Sequence, residues 1–250
     1  MEIWLCVVLF LLGLLFGSFY NVVGLRVPQK KSIVFPRSHC PSCSRTLSER
    51  DLIPVLSYLL LKGKCRACGY KISPIYPLME LLTGVLFAVS PVFVGWNPEL
   101  IISLLFISLL IIITVSDLAY MIIPNKVLLV FGILFALLRV FIPIGSIVNA
   151  YIGSVVGFGL LLFIAIISRG GMGGGDVKLF AVLGLVLGWK LVLLAFFFAT
   201  FLGMIYGIIG LLTGIVKRGE PIPFGPHIAL GALMAYFIGE SVLRAYFSLY

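Results

Sequence analysis

Long uninterrupted runs of apolar residues, such as residues 101–115 (IISLLFISLLIIITV), constrain this chain more than any other feature. Hydrophobic side chains make up 62% of its 250 residues and charged ones 11%, with a mean hydropathy of +1.22, which excludes a water-soluble domain. A bilayer crossing takes about 20 apolar residues, so the runs supply length for about eight helical spans. Their continuity does not fit the alternating pattern of a β-barrel.

We therefore predict an all-α polytopic membrane protein with about eight transmembrane helices. The sixth span is short, and the sixth and seventh can also be read as one long helix bent around Gly188. Glu2 and an apolar core longer than that of a signal peptide indicate that residues 1–25 form a retained first span. The spans are expected at residues 3–25, 75–94, 99–116, 126–143, 147–168, 177–189, 191–215 and 226–245.

The net charge of +9 is concentrated in one loop. Residues 26–71 contain ten of the 18 basic side chains and two acidic ones, so this loop alone carries +8. Short basic loops stay on the cytoplasmic side of a membrane, which predicts a cytosolic domain at residues 26–74 and an N-terminus outside. Residues 75–250 would then form the membrane core of the protein.

Four of the five cysteines form two Cys-x-x-Cys pairs, Cys40 with Cys43 and Cys65 with Cys68. This spacing is typical of a zinc ribbon, in which four thiolates surround Zn²⁺ and leave no open position. We therefore expect a structural zinc ion whose binding energy helps to fold a loop with few apolar residues. Two disulfides are the alternative interpretation, which a reducing cytosol disfavours.

Three of the nine acidic residues, Glu80, Asp117 and Asp176, fall in or beside predicted spans and, in the predicted topology, at one membrane face. Carboxylates at membrane depth are costly, so they are candidates for function. Asp176 follows five glycines in residues 170–175, where an extended peptide could approach the backbone closely. The structural alternative is that Asp176 caps a helix after a flexible linker and Asp117 is a solvated acid at a helix end.

Two carboxyl groups that come close together can divide the acid and base work of hydrolysis. The ionised group deprotonates a water molecule that attacks a peptide carbonyl, and the protonated group donates to the developing oxyanion. Asp117 and Asp176 are therefore predicted to form the catalytic dyad of an aspartic protease. A Ser-His-Asp hydrolase is not indicated, because no serine lies in a nucleophile-elbow pattern.

Five blocks follow one another in a fixed order along the chain. They are residues 17–23 (GSFYNVV), the cytosolic stretches 36–43 (PRSHCPSC) and 63–68 (GKCRAC), Asp117 with 123–125 (IPN), residues 173–179 (GGGDVKL) and residues 223–226 (PFGP). Together they resemble the bacterial type IV prepilin peptidases, which are membrane leader peptidases and N-methyltransferases with a Gly-x-Gly-Asp motif. This chain differs from the common pattern of that family at Asn125, where aspartate is common, and at His227, where an apolar residue is common.

The resemblance implies that Asp117 and Asp176 cut a basic leader from pilin-like precursors at the cytosolic face of a bacterial inner membrane. Because both the leader and the 26–74 loop are basic, recognition would rely on carboxylates, backbone and lipid rather than on bulk attraction. Residues in the matching motifs would support the substrate or the catalytic loops, namely Gly173, Gly174, Gly175, Lys178 and Asn125.

The resemblance also implies that the new N-terminus is methylated from S-adenosylmethionine, an activity that the family associates with its zinc-bearing half. Asp51 and Glu80 are candidates for this step, beside the alternative that both are structural. The sequence has no Gly-x-Gly-x-x-Gly loop after a strand, so the residues that contact the methyl donor are left unassigned.

Two other classes of function stay open. An ion-coupled transporter could use Asp117, Asp176 and Glu80, with the glycines forming a broken helix, although no sequence repeat favours it. A membrane-tethered binding module could use the zinc loop to dock a nucleic acid or an assembly ATPase. The loop contains only three aromatic residues, which is not typical of nucleic-acid binding, so the expected partners are pilin precursors and membrane lipid.

Overall fold

A computed structural model of the chain describes residues 2–143, 146–168, 171–217, 219 and 221–248, so Gly170 of the predicted glycine loop lies outside the described residues. Apart from turns and two isolated β-bridges, the described part is helical, which confirms the all-α prediction. A short 3₁₀ helix, Glu49–Leu52, precedes α2. The α-helices are α1 (Glu2–Arg26), α2 (Leu56–Leu60), α3 (Ile75–Val94), α4 (Glu99–Tyr120), α5 (Asn125–Phe141), α6 (Ile147–Ile167), α7 (Gly174–Leu212) and α8 (Gly225–Phe247).

Within the described residues, six helices are long and apolar enough to cross a membrane: α1, α3, α4, α6, α7 and α8. Two features explain why this count is lower than the eight predicted spans. The 17 residues of α5 make about 25 Å of helix, slightly less than the thickness of a hydrocarbon core. The 39 residues of α7 contain the sixth predicted span and most of the seventh, which was expected to reach residue 215.

Helix α7 folds back on itself at Gly188, whose φ of 72° and ψ of 174° are not helical. The rings of Phe180 and Phe196 lie 5.9 Å apart, whereas the same 16 residues of straight helix would separate them by about 24 Å. Glycine adopts this positive φ without a steric penalty. The fully buried Arg139 donates to the carbonyl oxygen of Val186 at 2.7 Å and so satisfies an acceptor at the end of the first half of α7.

The chain divides into two compact units, Met1–Val115 and Ser116–Tyr250. In the first unit α1 packs along α3, and a Cβ added at Gly13 would lie 2.7 Å from the Cα atom of Gly84. In the second unit α6 packs against α7, with Gly153 and Gly184 in backbone contact. Small residues therefore allow helices to approach closely in both units, as is common between membrane helices.

Candidate active site

Asp117 lies in the last turn of α4 and is buried, with 6% of its surface exposed. Its Oδ2 atom accepts a hydrogen bond from the backbone N–H of Gly225, the first residue of α8, at 2.7 Å. A Cβ added at Gly225 would lie 2.8 Å from both Cβ and Oδ2 of Asp117. The close approach therefore requires glycine at this position.

Asp176 lies in the first turn of α7, directly after three glycines, and its side chain is half-buried. A Cβ added at Gly175 would lie 2.9 Å from Cβ of Ile123, and one added at Gly173 would lie 3.0 Å from Oδ2 of Asp176. A Cβ added at Gly174 would meet nothing within 4 Å. The glycines on either side of Gly174 therefore make close contacts, and Gly174 borders open space.

The segment that follows Asp117 contacts the start of α7 at two points. One is the Gly175 contact just described, and the other is a hydrogen bond of 3.0 Å from Nζ of Lys178 to Oδ1 of Asn125. Asn125 thus binds Lys178 through a neutral amide, whereas an aspartate at this position would form an ion pair with the lysine. Asp117 and Asp176, 59 residues apart in sequence, are close enough for their charges to interact.

Two contributors to this site, Gly225 and Ile123, are absent from the set predicted from sequence. Gly225 lies in the Pro-Phe-Gly-Pro block, where a glycine at a helix start was the available signal of a close backbone approach. His227, two residues further, places Nδ1 3.2 Å from the carbonyl oxygen of Pro223, and its ring lies 5.0 Å from that of Tyr206. These contacts pack the imidazole ring near the N-terminal end of α8.

The four cysteines of the two Cys-x-x-Cys pairs converge in the first unit. Their Sγ atoms all lie within 4.8 Å of one another, and all are free thiols, so the structure gives no support to the two-disulfide alternative. Cys40 and Cys65 are buried, whereas Cys43 and Cys68 are exposed. Four sulfur ligands at this separation form the donor set that a tetrahedral Zn²⁺ site needs.

The electrostatics of this cluster fit a bound cation. Backbone N–H groups of Cys68 and Ala67 donate to the Cys65 thiol and lower its pKa to about 6. The N–H of Arg45 acts in the same direction on Cys43, but partial desolvation of its sulfur and the neighbouring thiols outweigh it and raise the pKa of Cys43 to about 11. Because the crowded thiols resist joint ionisation, a divalent ion would be needed to hold all four as thiolates.

Asp51 connects the two cysteine pairs. Its Oδ1 atom accepts from Nε of Arg66 at 2.9 Å, and its Oδ2 atom accepts from Nη2 of Arg45 at 3.3 Å and from the hydroxyl of Ser48 at 2.8 Å. The Ser48 hydroxyl, together with Arg66, lowers the pKa of this carboxyl, whose side chain is only 4% exposed. Arg45 follows the first cysteine pair and Arg66 lies inside the second. By binding both arginines, Asp51 joins the two pairs, which is a structural role.

Glu80 is buried in the second turn of α3 and holds a strained backbone segment in place. Its Oε2 atom accepts the N–H of Val55 at 2.8 Å, and its Cα atom lies 2.8 Å from a Cβ that would be added at Gly17 of α1. Val55 has φ 60° and ψ −50°, which a β-branched residue rarely adopts. One turn along α1, Asn21 donates to the carbonyl of Tyr76, while its buried Oδ1 atom has no hydrogen-bond partner among the described residues.

Comparison with known proteins matches both parts of the chain to peptidases of one kind. Residues 11–94 match the model of the bacterial peptidase A24 N-terminal domain, and residues 104–208 match that of the type IV leader peptidase family. A protein of Bacillus subtilis named prepilin leader peptidase/N-methyltransferase is 46% identical over 239 residues, which cover 96% of each chain.

Proteins with the same name in Aeromonas salmonicida and Pseudomonas aeruginosa are 35% and 32% identical over 274 and 270 residues. These alignments cover 96% and 97% of this chain and 92% of each relative. No solved structure matches the chain significantly. The chain belongs to the type IV leader peptidase family.

Proposed function

We propose that this protein cleaves the basic leader from pilin-like precursors with Asp117 and Asp176, and then methylates the new N-terminus. The observation that carries the proposal is the approach of the two aspartates within one unit, beside backbone that only glycine permits. The names of the relatives support the substrate class and the second activity. A membrane aspartic peptidase is also what the family assignment supports.

In the proposed mechanism the ionised aspartate takes a proton from a water molecule, whose oxygen attacks the carbonyl carbon of the scissile peptide bond. The protonated aspartate donates its proton to the oxyanion that forms. The aspartate that took the water proton then passes it to the leaving amine as the C–N bond breaks, and a hydroxyl of the diol returns a proton to the other aspartate. The N–H of Gly225 orients the Asp117 carboxyl. Gly173 and Gly175 help to position the Asp176 carboxyl, because a side chain at Gly173 would meet Oδ2 of Asp176 and one at Gly175 would meet Ile123.

We further propose eight spans, with α5 and the two halves of α7 each counted as one, in a bacterial inner membrane. The fold-back at Gly188 supports the separation of the sixth and seventh spans. The charge of +8 on residues 26–71 supports a cytosolic position of the zinc-ribbon segment, which we define as residues 26–74. With this orientation the leader would be cut on the cytosolic side.

Cys40, Cys43, Cys65 and Cys68 would hold a structural Zn²⁺, which supplies folding energy and leaves no open position for chemistry. For methyl transfer we favour Glu80 over Asp51, because the oxygens of Asp51 already accept from Ser48 and two arginines. Glu80 and the unpartnered Oδ1 atom of Asn21 fit a positively charged group. S-adenosylmethionine would supply the methyl group.

The test is incubation of the reconstituted protein with a synthetic pilin precursor and a labelled methyl donor, followed by mass measurement of the product. Asp117→Asn or Asp176→Asn should abolish cleavage while the protein still inserts into the membrane. Glu99→Gln, an acid at the other end of α4, is the matched control and should cleave normally. Retained cleavage by either aspartate variant would remove that residue from the dyad.

Methyl transfer is tested separately with a peptide that already begins at the cleaved N-terminus. Glu80→Gln should lose labelling of this peptide, whereas Asp51→Asn should keep it when the zinc-ribbon segment stays folded. The reverse result would assign the step to Asp51. Asp-dependent ion flux into vesicles without cleavage would instead favour the transporter alternative.

A further inference from the structure

The zinc-ribbon segment exposes two apolar patches that neither proposed activity uses. The first patch, Ile33 to Phe35, has side chains that are 40 to 72% exposed. The second patch lies on the 3₁₀ helix and α2, where Leu59 and Leu60 are 65% and 74% exposed. Aliphatic side chains so exposed on a charged segment indicate a contact surface. The second patch comprises Leu52, Ile53, Leu56, Leu59 and Leu60.

Basic residues border both patches on each side. The two neighbouring acids offset little of this charge, because Asp51 is already bound by two arginines and the exposed Glu49 balances one cation at most. Apolar side chains between lysines and arginines are typical of segments that lie in a membrane interface, where the apolar groups enter the bilayer and the cations bind anionic headgroups. The exposed or partly exposed bordering residues are Lys30, Lys31 and Arg37 for the first patch and Arg50, Lys62 and Lys64 for the second.

The first patch is held at the end of α1, where this helix would leave the bilayer. The chain folds back there, since the N–H of Lys31 donates to the carbonyl of Arg26 at 3.0 Å. Nη1 of Arg26 also donates to the carbonyl of Ser32 at 3.1 Å. The patch begins at the next residue, so it starts at the level of the membrane surface.

The second patch is held beside α3, beyond the first turn of that helix. The N–H of Val55, in the middle of the patch, is bonded to Glu80, which lies about 7.5 Å along α3 from its first residue, Ile75. Glu80 also packs closely against α1, since a Cβ added at Gly17 would lie 2.8 Å from its Cα atom. A backbone group held beside two membrane helices at that level would lie at the boundary of headgroups and acyl chains.

We propose that both patches rest in the leaflet nearest the zinc-ribbon segment, with their aliphatic side chains at the acyl boundary and the bordering cations on the phosphates of anionic lipids. This inference goes beyond the peptidase and methyltransferase activities and depends on neither. It fixes the cluster of four cysteines to the bilayer surface at two points. Lipid phosphates would also neutralise much of the positive charge that would otherwise repel a basic leader.

Depth-dependent quenching of a single tryptophan tests the proposal in the full chain. The three native tryptophans are replaced by phenylalanine, and one tryptophan is introduced as Phe35→Trp or Leu60→Trp. Tyr70→Trp is the matched control, because Tyr70 is 48% exposed in the same segment but lies outside both patches. Each variant is reconstituted into vesicles of phosphatidylcholine and phosphatidylglycerol, with or without lipids brominated near the headgroup end of the acyl chain. Zinc content verifies that the segment is folded.

We expect brominated lipid to remove roughly half or more of the emission at positions 35 and 60, since interfacial segments bury apolar groups about 5–10 Å into this region. The control should lose much less. Replacing the six bordering cations by glutamine should reduce the quenching in anionic vesicles to the level found in phosphatidylcholine alone. Quenching at positions 35 and 60 no greater than at position 70 would overturn the proposal.

A substrate-docking surface is the competing occupant. An emission change at position 60 that appears only when a pilin precursor is added, without quenching by brominated lipid, would overturn the lipid proposal in favour of that surface. Cleavage by the same variants separates this inference from the proposed function. Cleavage without quenching overturns only the lipid contact, and quenching without cleavage supports it while the peptidase proposal fails.

Discussion

Replacing Gly175 by alanine should reduce peptidase activity far more than the same replacement at the adjacent Gly174. A Cβ at position 175 would lie 2.9 Å from Cβ of Ile123, whereas non-bonded carbon atoms prefer about 3.5–4.0 Å. The first turn of α7 or the segment that contains Ile123 must therefore shift. At position 174 a new Cβ meets nothing within 4 Å, and neither glycine is among the described residues with positive φ.

Overpacking of this kind costs about 1–3 kcal/mol. The shift would occur one residue from Asp176, and misplacing a catalytic group by about 1 Å lowers a rate about 100-fold. We therefore expect Gly175→Ala to lower kcat/KM for cleavage by about 10- to 100-fold and to lower the Tm. Gly174→Ala should keep its activity and gain about 0.4–1 kcal/mol of stability, because alanine restricts the unfolded chain.

Initial rates of cleavage of a synthetic precursor and thermal unfolding in the same detergent measure both effects. The two variants differ by one position and carry the same added methyl group, so any general effect of alanine in this turn cancels. Equal losses at positions 174 and 175, or a Gly175→Ala variant as active as the parent, would refute the steric reasoning.

Gly225→Ala should lower cleavage by about 100-fold, because its Cβ would lie 2.8 Å from Oδ2 of Asp117, and it should keep methylation of a pre-cleaved peptide. Asp51→Asn should destabilise the zinc-ribbon segment by about 1–2 kcal/mol at neutral pH, a modest figure because both arginine partners are partly exposed. The pKa of Asp51 in the folded state is lowered from 3.8. Its contribution to stability is therefore complete above pH 3.8 and is lost as the pH falls through the folded-state pKa. Limited proteolysis of the parent and the variant at several pH values measures this loss. Cys40→Ser should reduce zinc content and loosen the zinc-ribbon segment first, and unchanged zinc content would contradict the ribbon interpretation.

Much of the helical arrangement could be predicted because the apolar runs are long and have clear ends. The second span was expected at residues 75–94 and α3 is Ile75–Val94, between Pro74 and the positive-φ residue Gly95. The third was expected to end at residue 116, but α4 continues to Tyr120. This difference has a tertiary cause, since the hydrogen bond from Gly225 lets a buried Asp117 sit inside the last helical turn rather than in water.

Asp117 and Asp176 could be proposed as a dyad from sequence because acidic residues are rare in this chain and two of them border apolar runs. Their surroundings could not. The contact of Gly225 with Asp117 spans 108 positions, and that of Gly175 with Ile123 joins the first turn of α7 to the connection between α4 and α5, so no local pattern encodes either one. Likewise, sequence offers two roles for Asp51, and only the positions of its arginine partners favour the structural one.

The partners of the charged groups explain how two acids can remain available for proton transfer at membrane depth. A lysine or arginine bonded to either carboxyl of the proposed dyad would hold it ionised and so prevent the exchange of acid and base roles. In the part of the chain that the structure describes, the ion pairs involve Asp51, while Lys178, only two residues after Asp176, donates to the neutral amide of Asn125. Asp117 is instead bound by a backbone N–H, which stabilises a carboxylate without supplying a full opposing charge. Asparagine at position 125 is therefore compatible with the proposed dyad, because its amide binds Lys178 and so keeps this cation from pairing with Asp117 or Asp176.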